Sequence, residues 1–262
     1  MLTMNPDHEP LPSHDASTEG SPEDVLAPET LVLRGQAVVS GTDTAKMLYR
    51  MNWNITSIPQ KSSSVIFERV KDDLLLENED PTPTKQRDEH IFYLAHPAGA
   101  KYQKETPEYY LTSVSPESLG NISLETSKPG FRKTEFRMLL SAGRTWSDKP
   151  LFEEDAETLF EVKPKWMSSR YTWTNRTDEQ VAYEDKKEDE RILVTLVSME
   201  RKLRDALVAT WCLRLWYETA ESTRAQRDEM ERLTPAKAMH GYTDLKTAKR
   251  TGALGSLGGA GA

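Results

Sequence analysis

From about Leu31 onward the chain alternates apolar and polar residues in short segments separated by turn chemistry. Met47, Tyr49, Met51 and Trp53 recur at period two, the signature of a strand with one buried face. Val65–Val70, Ile91–Ala95, Tyr109–Val114, Ile122–Leu124 and Thr158–Val162 extend the series, rich in aromatic and β-branched residues. Arg170–Thr174 and Gln180–Glu184 flank the polar stretch NRTDE and read as a hairpin. Arg191–Val197 gives the strongest strand pattern. Two segments break the alternation. Lys133–Ala142 sets Phe136, Leu139 and Leu140 at helical spacing, with Gly143 as a C-cap, and predicts a short helix. Asp205–Tyr217, DALVATWCLRLWY, is apolar on nearly every side, and a helix of that kind is enclosed rather than laid on a surface.

This second helix is expected to begin near Ser198 or Met199, with Ser198 as N-cap and Glu200 in the first turn. It then continues past Tyr217 into the charged run ETAESTRAQRDEMERL and stops at Leu233-Thr234-Pro235. Its apolar portion spans roughly 13 residues, or about 20 Å. That is the height of a small barrel and less than the ~20 apolar residues a spanning helix needs, and Arg214 interrupts it, so no transmembrane segment is expected. Leu207, Trp211, Leu215 and Trp216 are its expected core residues. Arg214 is expected to snorkel to the rim with Glu218, one turn on, as partner.

Composition divides the chain. Residues 1–33 hold seven acidic residues and no Lys or Arg. Residues 1–30 are rich in Pro, Ser and acid, too poor in apolar content to offset the entropy of ordering, and are expected to be a disordered acidic tail. A barrel domain follows over 31–220, then a charged helical extension over 221–235 and a Gly-rich disordered tail over 236–262. Residues 71–89 read as an exposed insertion between two strands. The formal net charge of -8 argues against broad nucleic-acid binding, which relies on neutralising many phosphates. The N-terminus shows no basic or apolar signal region, which points to a cytoplasmic or nuclear protein. The three N-x-S/T triplets, at Asn54, Asn121 and Asn175, then read as chance matches.

Motifs for nucleophilic hydrolysis, nucleotide binding and zinc proteolysis are absent, and no cofactor is expected. The single cysteine, Cys212, sits inside the apolar helix as a buried thiol. His90 and His96 flank one strand without a cysteine to support them, so no metal site is expected. The acidic run Glu153, Glu154 and Asp155 reads as a polar turn. The exposed feature that does suggest binding is basic: Lys128, Arg132, Lys133, Arg137 and Arg144, with Lys133 and Arg137 four apart on one face of the expected helix. Such a set suits a phosphate or an anionic lipid headgroup.

Short strands followed by a terminal apolar helix, in the order RYTWT, QVAYE, RILVTLV and then SMERKLRDALVATWCLRLWYE, resemble the tubby C-terminal-like superfamily of tubby domains, phospholipid scramblases and LURP-one-related proteins. YYLTSVSPESLGNISLETSK and DALVATWCLRLW also resemble a group of filamentous-fungal proteins. The resemblance covers 31–220. It implies a mainly β fold in which a closed antiparallel barrel encloses a C-terminal hydrophobic helix, and a non-catalytic role in phosphoinositide or membrane association. The alternative fold is a pleckstrin-like barrel with a capping C-terminal helix. The functional expectation is a non-catalytic intracellular binding module for an anionic lipid headgroup or a protein partner. Its alternatives are a protein-interaction scaffold using the charged helix and tails, and an enzyme of unrecognised type.

Overall fold

The alternating segments form a barrel. In the computed structural model, residues 25–57, 63–71, 88–97, 100, 106–128, 133–165, 168, 170–187 and 190–222 are described. A two-stranded ribbon joins β1 (Val25–Leu26) to β14 (Met199–Glu200). The other strands are β2 (Thr30–Arg34), β3 (Ala37–Ser40), β4 (Met47–Met51), β5 (Ser63–Val70), β6 (Asp88–His96), β7 (Tyr109–Ser113), β8 (Gly120–Ser127), β9 (Glu135–Ala142), β10 (Glu157–Pro164), β11 (Tyr171–Asn175), β12 (Gln180–Lys187) and β13 (Glu190–Thr195). Each pairs antiparallel with its sequence neighbour, and β13 pairs with β2 to close the ring. Closure leaves no unpaired edge in this sheet, so no backbone row is open to another chain.

One helix, α1 (Arg201–Ala220), runs through the ring, and every residue from Arg204 to Tyr217 is buried. The expected enclosing barrel is therefore present, and the capping alternative is not, since a cap buries only one stripe. Leu207, Trp211, Leu215 and Trp216 all lie in the core. They meet the inward residues of the strands, among them Phe67, Phe92, Met138, Phe160 and Trp173, each 0% exposed. Strand alternation thus supplies the shell and the all-round apolar helix supplies the filling.

Four expectations need correction. Lys133–Ala142 is not a helix: Glu135–Ala142 is β9, hydrogen-bonded to β8 and β10 on its two sides. Phe136 and Met138 are both buried with Arg137 exposed between them, a period-two pattern that the neighbouring Leu139 and Leu140 disguised. The helix begins at Arg201 rather than Ser198 or Met199, because Met199 and Glu200 are held in β14 by pairing with Val25 and Leu26. Residues 25–30, expected in the acidic tail, instead belong to the fold: Val25 and Leu26 form β1 in that pairing, and Thr30 starts β2. Finally, the alternation of β4 stops at Met51, and Trp53 lies beyond it, exposed.

The helix does pass Tyr217, ending at Ala220 with a turn at Glu221. The charged run from 223 and the Gly-rich tail lie outside the described residues, as do 1–24 and 72–87.

Candidate functional site: a cationic mouth at the start of the helix

The sequence-selected basic set does not form one site. Lys128 is exposed just after β8, and Arg132 lies outside the described residues. Lys133 Nζ donates to the Ser168 carbonyl at 2.8 Å. Arg137 sits between Glu125 and Glu161, at 3.9 and 3.7 Å. Arg144 pairs with Glu153 at 3.3 Å. Lys133 and Arg144 bracket β9, whose eight residues span about 27 Å, so they stand at opposite ends of the barrel. The shallow cavity beside Arg137, about 490 Å³, is lined by Glu125, Glu135 and Glu161 against Arg137 and Lys163. Acids outnumber cations there, which disfavours an anion.

The histidines and the acidic run also serve structure. His90 Nε2 lies 3.1 Å from the Phe92 carbonyl, and His96 Nδ1 lies 2.7 Å from that of Glu108, with its ring stacked on Tyr109. Among the described residues no group of three or more His, Cys, Asp or Glu could hold a metal ion. Arg214 is not at the rim. Its side chain is buried, with Glu184 and Glu218 as ion-pair partners and Tyr171 4.5 Å beneath the guanidinium. Asn121, fully buried, accepts from the Ser113 N–H and donates to the Thr145 and Leu151 carbonyls, fastening the end of β7 to two points of the β9–β10 connection.

At the end of the barrel where α1 begins, a cavity of about 610 Å³ opens among β1, the β3–β4 turn, the end of β5, the β7–β8 loop and the first turn of the helix. Five cations line it: Lys46, Arg69, Lys71, Arg201 and Arg204, against two carboxylates, Glu29 and Glu117. Arg69 faces inward because it continues the alternation of Val65 and Phe67 along β5. Its Nη1 donates to Asp205 Oδ2 at 2.6 Å, and its Nη2 pairs with Glu89 at 2.5 Å and Glu117 at 3.1 Å. Tyr49, its register partner on β4, donates to Asp205 Oδ1 at 2.8 Å. Asp205 is thus the pin that fixes both strands to the helix. Burial raises its carboxyl to about 6, against the opposing pull of Arg69. Burial also raises the Tyr49 phenol well above its usual range, with Asp205 adding to the effect.

Arg204, 2% exposed, reaches Glu29 at 3.5 Å and donates through Nη2 to the Ala27 carbonyl. Its Nε is buried without a hydrogen-bond partner. The helix terminus is itself unusual. Glu200 makes no side-chain cap, and the first turn contains no acid but Arg201, Lys202 and Arg204. Cations there oppose the positive end of the helix dipole, and the first backbone N–H groups lack intrahelical acceptors. Local rules broken in this way concentrate at functional sites.

The same rim carries exposed apolar side chains. Val25 on β1, Trp146 in the turn after β9 and Leu196 just after β13 are 53%, 58% and 41% exposed. The turn is held there by the Trp146 N–H donating to the Ser113 carbonyl at the end of β7. Among the described residues no helix is long and apolar enough to cross a membrane. Set against protein-family models, curated proteins and solved structures, the chain finds no match in any of the three.

Proposed function

We propose that this protein is a non-catalytic intracellular module that binds an anionic lipid headgroup at the cationic mouth of its barrel. The carrying observation is the convergence of Lys46, Arg69, Lys71, Arg201 and Arg204 around one cavity at an uncapped helix N-terminus. A phosphate oxygen suits such a place: backbone N–H groups and guanidinium forks both donate to it, and the dipole favours its charge. The exposed Trp146, Leu196 and Val25 on that rim support a membrane-borne headgroup, because an aromatic side chain settles at the bilayer interface while cations meet the phosphates. Membership of the tubby C-terminal-like superfamily is part of this proposal, supported by a closed antiparallel barrel around a C-terminal helix. The filled interior supports a binding rather than a catalytic role, since Trp211, Leu215 and Trp216 occupy the space a substrate would need.

Co-sedimentation with neutral phosphatidylcholine vesicles and with vesicles containing phosphoinositide tests the reading. Binding to the second alone, weakening as salt rises, is expected. Equal binding to both, or to neither, would refute it.

A further inference from the structure

The cations of the mouth are engaged within the fold. Arg69 is held by Asp205 at 2.6 Å, Glu89 at 2.5 Å and Glu117 at 3.1 Å. Lys71 shares Glu89 at 3.1 Å, and Arg204 pairs with Glu29 and donates to the Ala27 carbonyl. Glu89 and Asp205 stand behind the lining residues, so the five lining cations meet four carboxylates: Glu29, Glu89, Glu117 and Asp205. An anion entering the cavity competes with acids already in place. One of these acids differs from the others. Glu117 is exposed and Glu29 and Glu89 are partly exposed, whereas the Asp205 side chain is buried. We propose that the Arg69–Asp205 contact is a proton-operated latch: a proton taken up by Asp205 releases Arg69 to the cavity, and the mouth then holds an anion more tightly. The latch rests on reading the mouth as an anion site and concerns the regulation of that site.

The geometry sets both the proton and its effect. Asp205 Oδ1 accepts from the Tyr49 hydroxyl on β4, and Oδ2 accepts from Arg69 Nη1 on β5. The other charged groups around it are Arg201 and Arg204 on α1, Glu89 on β6 with Lys71 bridged to it, and Glu117 from the β7–β8 loop. Lys46 and Glu29 complete the charged wall of the cavity. A carboxylate withdrawn from water loses solvation that these partners return only in part, which favours its neutral form. Burial accordingly raises this carboxyl to about 6, against the pull of Arg69 and Tyr49. Once neutral, Asp205 exerts no ionic hold on Nη1, and three carboxylates remain against the five cations. Arg69 stays moored through Nη2 to Glu89 and Glu117, and it lines the cavity, so Nη1 is placed to donate to an anion there. The coupling is reciprocal: a bound anion raises the proton affinity of Asp205 by the same factor.

The test uses the full chain and myo-inositol hexasulfate, a polyanion whose charge is constant between pH 5.0 and 7.5, at physiological ionic strength. The unaltered protein should bind it about fivefold more tightly at pH 5.0 than at pH 7.5, the worth of one further cation toward an anion. Asp205→Asn should abolish that difference, and His90→Gln, which removes the histidine next to Glu89 on β6, should keep it. Calorimetry in two buffers of different ionisation enthalpy gives a second readout that needs no change at Asp205. The His90→Gln chain should take up about 0.4 proton per bound probe at pH 6.4, the value for a fivefold coupling to a carboxyl of pKa about 6. The same pH difference in a folded Asp205→Asn protein, or binding without proton uptake, would overturn the latch while leaving the mouth an anion site. Failure of the unaltered protein to bind the probe at either pH would remove the reading of the mouth, and the latch with it.

Discussion

Arg69 of β5 and Asp205 of α1 meet at 2.6 Å inside the barrel, both almost wholly buried, 136 residues apart in sequence. This pair closes the lower wall of the mouth and fixes the depth of the helix. Tyr49 holds the second oxygen of Asp205, and Glu89 and Glu117 hold the other side of Arg69. The carboxylate therefore has specific partners on β4 and β5, yet its burial outweighs them and raises its pKa to about 6.

A pH dependence follows. A folded-state pKa above the unfolded value of about 3.9 means that the folded protein binds the proton more tightly, so this group's contribution to stability falls as pH rises from about 4 to about 6. The full difference is about 3 kcal/mol at most. Asp205→Asn removes the ionisation. Urea unfolding at several pH values should show the stability of the native protein, measured relative to the variant, declining through that window and flat above it. A constant difference would contradict the assigned burial.

Arg214 and Glu184 form the second buried pair, at the opposite end of the helix. Arg214→Met leaves the Glu184 charge uncompensated and should cost about 3–5 kcal/mol. Replacing Glu184 with Gln in the same chain removes that charge and keeps an acceptor for the Trp173 indole N–H, which now donates to Glu184 at 2.9 Å. The double variant should recover most of the loss. Additive losses in the double-mutant cycle would show that the two side chains do not act as a pair.

Gly120 opens β8 with φ +137°, and a Cβ there would lie 2.3 Å from the Ser141 carbonyl oxygen of β9. Gly35, at φ +60° in the β2–β3 turn, would meet nothing within 4 Å. Gly35→Ala should cost about 1 kcal/mol from backbone conformation alone. Gly120→Ala should cost more, about 1–3 kcal/mol for the strained conformation plus the displacement of β9. Chemical denaturation of the two variants compares them directly, and equal losses would contradict the close contact.

The barrel was largely legible in the sequence because period-two alternation and an all-round apolar helix leave few ways to bury both. β9 was misread because Phe136, Leu139 and Leu140 match helical spacing as well as Phe136 and Met138 match a strand. Only its pairing with β8 and β10, a long-range fact, decides between them. The mouth was not anticipated, since its cations come from three parts of the chain, the β3–β4 turn, the end of β5 and the first turn of α1, and no short window contains them. One local signal was present: Arg69 falls on the inward side of the Val65–Phe67 alternation, where a cation requires a buried partner, and Asp205 is the acid at the start of the apolar run. The basic set around Arg137 looked like a site because it is close in sequence, whereas the fold separates Lys133 from Arg144 along β9 and pairs Arg137 and Arg144 with acids.

Charge neutralisation at the mouth against charge neutralisation on the barrel wall tests the central claim most directly. Lys46→Gln with Lys71→Gln alters two lysines lining the mouth, and Arg137→Gln with Lys163→Gln alters the wall. At about 1 kcal/mol per cation near an anionic surface, the mouth variant should lose about thirtyfold in affinity for phosphoinositide vesicles. The wall variant should bind as the unaltered protein does. A mouth variant that binds normally, or a wall variant that loses as much, would contradict the account.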